Sequence, residues 1–253
     1  MQKSFWGMSQ RQKAGLGRGS GPQPGPVDAG GGTALPRGHY NDAMAPLPTL
    51  DGLLSAADNA LRAVFAPATA RRQPPGLPEA TPLPEAERRH VAGLMRVNHA
   101  GEIAAQALYH GQALLARSPE TREFLLKAAD EEGDHLAWCE QRLKELGDRP
   151  SFLDPFWYAG SFAIGAAAAA VNDRLSLGFV TETERQVESH LAGHLRELPA
   201  GDARSRRILE TMQQDEVGHA QAATQRGAVE LPLPVRALMK LASRVMTKTA
   251  YRL

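Results

Sequence analysis

The 253-residue chain contains a single cysteine, Cys139. One thiol excludes an intramolecular disulfide framework and any zinc or iron–sulfur site built on cysteine. Charge of one sign is also missing: 29 Lys and Arg stand against 28 Asp and Glu, a formal net charge of +1. No broad field attracts nucleic acid, and none is expected as a partner. No unbroken apolar run reaches the roughly 18–20 residues of a simple membrane span. Residues 1–8 lack the apolar stretch of a secretory signal. The default reading is a reduced compartment on the cytoplasmic side. Alternating β-branched residues are absent too, so no sheet is expected.

Glycine and proline are present but unevenly spread. Ten of the 24 glycines fall in residues 1–40, with four prolines and almost no apolar periodicity. Such a segment cannot bury enough surface to offset its ordering entropy, so residues 1–46 read as a disordered extension. Residues 47–84 read as a short amphipathic helix over 50–65 followed by a Pro-rich linker. From residue 85 to the end the pattern is helical almost throughout, and 85–253 reads as one domain. The spacing predicts helices over 85–117, 119–146, 173–198 and 202–227, a hydrophobic crossover segment over 152–171, and a last amphipathic helix from 235. Ser118-Pro119, Gly147, Pro199-Ala200-Gly201 and Asp202 punctuate them as caps and breaks.

Each of the four long helices carries a glutamate in its apolar stripe, where a leucine would ordinarily sit. They are Glu102, Glu132, Glu184 and Glu216, and the second and fourth helices add His135 and His219 three residues on. Composition alone, 17 Glu and 8 His, yields roughly half of one Glu-x-x-His by chance at this single spacing, and three occur. The third, Glu87 to His90, lies about 120° around its helix from the stripe and reads as a solvated helix start. Height is the stronger argument. Residue 117, midway between Glu102 and Glu132, is at one turn; residue 200, midway between Glu184 and Glu216, is at the other. Each antiparallel hairpin therefore brings its two glutamates level, about 22 Å from the turn at 1.5 Å per residue. Four buried carboxylates cannot stay together unpaired. Two divalent metals would neutralise them, and oxygen plus imidazole donors favour iron or manganese. One glutamate from each of two helices with Glu-x-x-His from each of the other two is the ligand plan of ferritin-like di-metal bundles. The expected fold is all-α: a ferritin-like four-helix bundle with a hydrophobic crossover helix and a C-terminal amphipathic helix.

Four stretches narrow this further: Leu94-Met-Arg-Val-Asn-His-Ala-Gly-Glu102, Asp130-Glu-Glu-Gly-Asp-His135, Asn172-Asp-Arg-Leu-Ser-Leu-Gly-Phe179 and Asp215-Glu-Val-Gly-His219. Over about residues 50–253 the chain resembles the demethoxyubiquinone hydroxylase family of ubiquinone biosynthesis. The resemblance implies a di-iron monooxygenase with two iron ions per chain, held by Glu102, Glu132, His135, Glu184, Glu216 and His219, with Glu132 and Glu216 bridging. It implies hydroxylation of the ring of 2-polyprenyl-3-methyl-6-methoxy-1,4-benzoquinol with O2. His190 is a candidate for a hydrogen bond behind the ligands, and Tyr109 reads as core filler.

The apolar stretch Phe152 to Val171 and the basic residues Arg236, Lys240, Arg244, Lys248 and Arg252 of the last helix suit a polyprenyl substrate. They predict peripheral contact with the cytoplasmic side of the cell membrane, and other ubiquinone-biosynthesis proteins are candidate partners. Two other readings compete: a ferritin-like iron oxidase or store, and a membrane-associated helical bundle without metal.

Overall fold

The computed structural model describes residues 47–76 and 82–253; the Gly/Pro-rich extension read as disordered and part of the Pro-rich linker lie outside them. Among the described residues every regular element is a helix: α1 (Leu50–Phe65), α2 (Glu85–Leu115), α3 (Pro119–Glu145), α4 (Asp154–Val171), α5 (Asp173–Glu197), α6 (Ala203–Gln225) and α7 (Leu233–Ala250). Each expected helix is present, with ends displaced by no more than two residues.

Local chemistry fixes those ends. Ser118 Oγ accepts from the Thr121 amide with Pro119 at the first helical position, Asn172 accepts from Leu175, and Asp202 accepts from Ser205. Gly147 closes α3 at φ 69°, a left-handed conformation that a Cβ would strain. Buried ties then join the two hairpins. Asp173, at the start of α5, accepts the backbone amides of Arg117 and Ser118, both at 2.9 Å. Arg142 on α3 reaches Asp202 at 3.0 Å and Ser205 at 2.8 Å at the start of α6.

The hairpins α2–α3 and α5–α6 form the bundle, and α4 crosses over along α2. That crossing is tight. A Cβ on Gly111 would overlap the Phe162 carbonyl, and one on Gly165 would overlap the Leu108 carbonyl. Two apolar layers fill the interior. One joins Val91 and Met95 to Leu143, Leu191 and Met212 at one end, and the other joins Leu108 and Tyr109 to Leu125, Leu177 and Ala223. Glutamates 102, 132, 184 and 216 lie between them in sequence on all four helices.

Three surface readings change. His90 is not a simply solvated helix start: its ring nitrogens lie 2.8 Å from the Tyr251 hydroxyl and 3.2 Å from the Glu197 carbonyl. It docks the end of the chain and stands apart from the metal-competent groups. Helix α1 packs through Ala60, Ala63 and Val64, while Leu50, Leu54, Leu61 and Phe65 are exposed. The basic face of α7 is interrupted at Arg236, which bonds Glu182 of α5 and Glu230, each at 3.0 Å.

Candidate metal centre

Midway along the bundle, the six residues singled out from sequence converge. His135 Nδ1 lies 3.0 Å from Glu132, 3.2 Å from Glu216 and 3.8 Å from Glu102. His219 Nδ1 lies 3.0 Å from Glu132, 3.5 Å from Glu216 and 3.9 Å from Glu184. They form two groups able to hold a metal ion: Glu102, Glu132, His135 and Glu216, and Glu132, Glu184, Glu216 and His219. Glu132 and Glu216 belong to both, the position of bridging carboxylates. All four glutamates are buried.

Electrostatics shows why such a cluster calls for cations. Burial, reinforced by the neighbouring carboxylates, pushes Glu102 and Glu184 well above the usual carboxylate range. Burial also pushes Glu132 and Glu216 up, but contacts from His135 and His219 outweigh it and hold both below their ordinary value. Burial would discharge the imidazoles; the surrounding carboxylates reverse that, raising His135 well above its usual value and His219 to about 12. Both oxygens of Glu184 and of Glu216 are buried without a well-aligned hydrogen bond, despite the nearby Nδ1 atoms. Orphaned carboxylate oxygens facing one another beside two imidazole nitrogens fit a pair of divalent ions with oxygen and nitrogen ligands.

Behind the imidazoles stand two acids that the sequence reading missed. His135 Nε2 meets Asp215 Oδ2 at 3.0 Å, and His219 Nε2 meets Glu131 Oε2 at 2.8 Å. Each lies on the opposite helix, one residue before that helix's own stripe glutamate. An acid at that place in both Glu-x-x-His helices was the available signal. By contrast, His190 is not paired behind the ligands: its Nε2 has no hydrogen-bond partner and it lines a cavity. Its neighbour His194 contacts Asn98 Oδ1 at 2.9 Å, with the two imidazole rings 3.9 Å apart.

That cavity, about 310 Å³, lies among α2, α4, α5 and α7 and reaches Glu102. Phe179, Ile164 and Met246 are among the groups that make its wall mostly apolar, with Asn98 and His190 as polar points near the glutamate. The cluster thus has an apolar approach from one side. Burial keeps His190 of the cavity wall and His194 behind it neutral, with His190 lowered to about 4 and His194 to about 3.

Comparison with known proteins agrees with this architecture. Residues 89–250, which span both hairpins, match the family described as ubiquinone biosynthesis protein COQ7. A 3-demethoxyubiquinol 3-hydroxylase of Dechloromonas aromatica (strain RCB) is 57% identical over 204 residues, 80% of this chain and 98% of the relative. Its counterpart from Ralstonia pickettii (strain 12J) is 56% identical over 216 residues, 81% of this chain and all of the relative. With identity at that level across four-fifths of its length, the chain belongs to the ubiquinone biosynthesis protein COQ7 family.

Proposed function

We propose that this chain is a 3-demethoxyubiquinol 3-hydroxylase, holding two iron ions per chain through Glu102, Glu132, His135, Glu184, Glu216 and His219. The observation that carries the reading is the apolar cavity ending at Glu102. An iron store has no use for an organic-sized approach to its metals, whereas a hydroxylase must seat a quinol ring there. The bound irons would supply the activation of O2, one atom of which enters the ring while the other leaves as water, with two electrons from a donor. The chain's own part is to bind, orient and exclude water. The cavity wall desolvates the ring, Asn98 and the neutral His190 offer hydrogen bonds to ring oxygens, and the closed bundle keeps bulk water from the carboxylates.

The direct test is to load the protein anaerobically with ferrous iron and supply reduced 2-polyprenyl-3-methyl-6-methoxy-1,4-benzoquinol with labelled O2. The expected product carries one labelled oxygen, with close to two irons per chain. Oxidation of iron without labelled product would favour the ferritin-like oxidase. A chain that binds no iron would favour the bundle without metal.

The same reading places the protein peripherally on the cytoplasmic side of the cell membrane, where a polyprenyl quinol resides. Among the described residues no helix is long and apolar enough to cross a membrane. Helix α7 offers a surface alternative. Lys240, Arg244 and Lys248 are exposed beside exposed Leu238, Leu241 and Val245, in adjacent sectors at ~100° per residue. Reversing those three charges to glutamate should remove about 1 kcal/mol or more each from binding to anionic vesicles, an effect that fades with added salt. Arg236 is left out because its ion pairs hold α7 to α5. Unchanged vesicle binding, read by co-sedimentation, would make α7 a purely structural helix.

A further inference from the structure

Between α1 and α2 the chain runs as a strap, residues 66–76, over the outside of α3 and α6, on a side of the cluster that the cavity does not line. It is pinned repeatedly. The Ala68 amide donates to Glu140 at 2.8 Å, and the Arg71 amide to Asp134 at 2.5 Å. Trp138 Nε1 donates to the Arg72 carbonyl at 3.1 Å, and Arg204 donates to the carbonyls of Pro75 and Gly76 at 3.1 and 2.5 Å. None of these groups belongs to the six-residue cluster.

At the centre of the strap, Arg72 spans two helices. Its Nε donates to Asp134 Oδ2 on α3 at 2.8 Å and its Nη1 to Asp215 Oδ2 on α6 at 2.9 Å. Its guanidinium carbon lies 4.8 Å from the centroid of the Trp138 ring. The Asp215 oxygen that it holds is the one lying 3.0 Å from His135 Nε2. Arg72, Asp215 and His135 therefore form a continuous chain from the strap to the cluster.

We propose that Arg72 is a positioning residue for His135: by fixing Asp215 it sets the imidazole's orientation and tautomer, turning Nδ1 toward the metal. An imidazole whose Nε2–H donates a hydrogen bond to a carboxylate presents the lone pair of Nδ1 to the metal, and such outer partners tune metal affinity. Arginine suits the task because its planar fork holds two carboxylates in a fixed geometry, which a lysine ammonium on a flexible stem defines less well. The other imidazole has no such brace. His219 Nε2 meets Glu131, whose side chain is 39% exposed and lies 3.4 Å from Lys127. The two metal positions are thus unequal, and the difference comes from a segment preceding the bundle. The 66–76 strap also precedes residues 89–250, the stretch that matches the family.

This inference rests on the reading of the cluster as a two-metal site, and cobalt(II) binding separates the two. The full-length chain, stripped with chelator, is titrated with Co2+ alone and followed by visible absorption and calorimetry. The parent should bind two ions. Arg72→Gln should still bind two, with one step weakened about 10- to 100-fold and the other unchanged. Arg72→Lys should fall between, and Glu131→Gln should weaken the other step, so that Arg72→Gln with Glu131→Gln weakens both. If Arg72→Gln does not fold, Asp215→Asn carries the test and should weaken the same single step as Arg72→Lys. A titration of Arg72→Gln that matches the parent, or equal weakening of both steps, overturns the proposal while leaving the metal centre intact. A parent that binds no Co2+ overturns the metal-centre reading itself.

Discussion

The cluster is approached differently from its two sides. Around His135, between α3 and α6, the surroundings are ionic and closed: the strap covers Asp134 and Asp215, and His135 is wholly buried behind them. Toward α2 and α5 they are apolar and open: a cavity reaches Glu102 past the neutral His190. The difference separates two tasks that one site must perform. Holding ions in place calls for fixed charges and hydrogen bonds, whereas admitting an organic ring calls for uncharged walls and free volume. The repeated plan of glutamate, turn and Glu-x-x-His makes the inner ligands nearly symmetric. The asymmetry comes from what packs outside the repeat: a strap on one side, α4 and α7 on the other.

The cluster itself offers the largest effects. Glu132 and Glu216 belong to both candidate metal groups, whereas Glu102 and Glu184 each belong to one. Glu132→Ala or Glu216→Ala should therefore strip both ions, while Glu102→Ala or Glu184→Ala should leave about one. All four should lose hydroxylation by more than about 100-fold, since loss of a ligand exceeds loss of an outer partner. Elemental analysis beside turnover separates the classes. Equal metal loss in all four would erase the distinction between shared and unshared ligands. Glu87→Ala with His90→Ala should leave both metal content and turnover intact.

Much of this was legible in the sequence because helices have a fixed rise and turn. Glu102 and Glu132 lie equally far from residue 117, and Glu184 and Glu216 equally far from residue 200, which places each hairpin's two glutamates at one level without any tertiary information. Helix ends followed from Ser118-Pro119, Gly147 and Asp202 because capping is local. What escaped depended on contacts between distant segments. Arg72 lies in a stretch that reads as a Pro-rich linker, and nothing local says that its guanidinium meets Asp215, 143 positions away. His190 lies two turns from Glu184 on α5 and so suggested a partner behind the ligands. Its direction is set instead by packing against His194 and the cavity wall. The amphipathic pattern of α1 does not say which face meets the bundle: Ala60, Ala63 and Val64 pack, while Leu50, Leu54, Leu61 and Phe65 are exposed.

Acid should probe the open side. His190 and His194 are held at about 4 and about 3, below the ordinary 6.5, by burial. Below pH 6.5 the unfolded chain takes up protons that the folded chain refuses. Their contribution is thus intact above pH 6.5 and lost as pH falls toward the folded values. By pH 5 the loss is about 2 kcal/mol per histidine. Other groups titrate over the same range, so the useful quantity is a difference. Urea unfolding of chelator-treated parent and of His190→Gln with His194→Gln, at pH 7 and pH 5, should show the variant losing less stability on acidification. Parallel losses would mean that His190 and His194 take up protons as readily in the folded chain as in the unfolded one, and that the open side is wetter than its walls imply.

The smallest effect is carried by two glycines of α2, ten residues apart. Gly111 faces α4, where an added Cβ would overlap the Phe162 carbonyl, so backbone would have to move. Gly111→Ala should cost about 1–3 kcal/mol, the usual penalty for overpacking, and lower the melting temperature. Gly101 lines the cavity beside Glu102, and a Cβ there meets nothing within 4 Å. In a helix interior alanine is favoured over glycine by up to about 1 kcal/mol, so Gly101→Ala should stabilise slightly and leave metal content unchanged. Gly101→Leu extends the same test. Its larger side chain enters the space assigned to the quinol, so KM should rise while cobalt binding stays at two ions. A Gly101→Leu protein that turns over quinol with unchanged KM would mean that the ring reaches the cluster by another route. The cavity would then be a packing defect and not the substrate's approach.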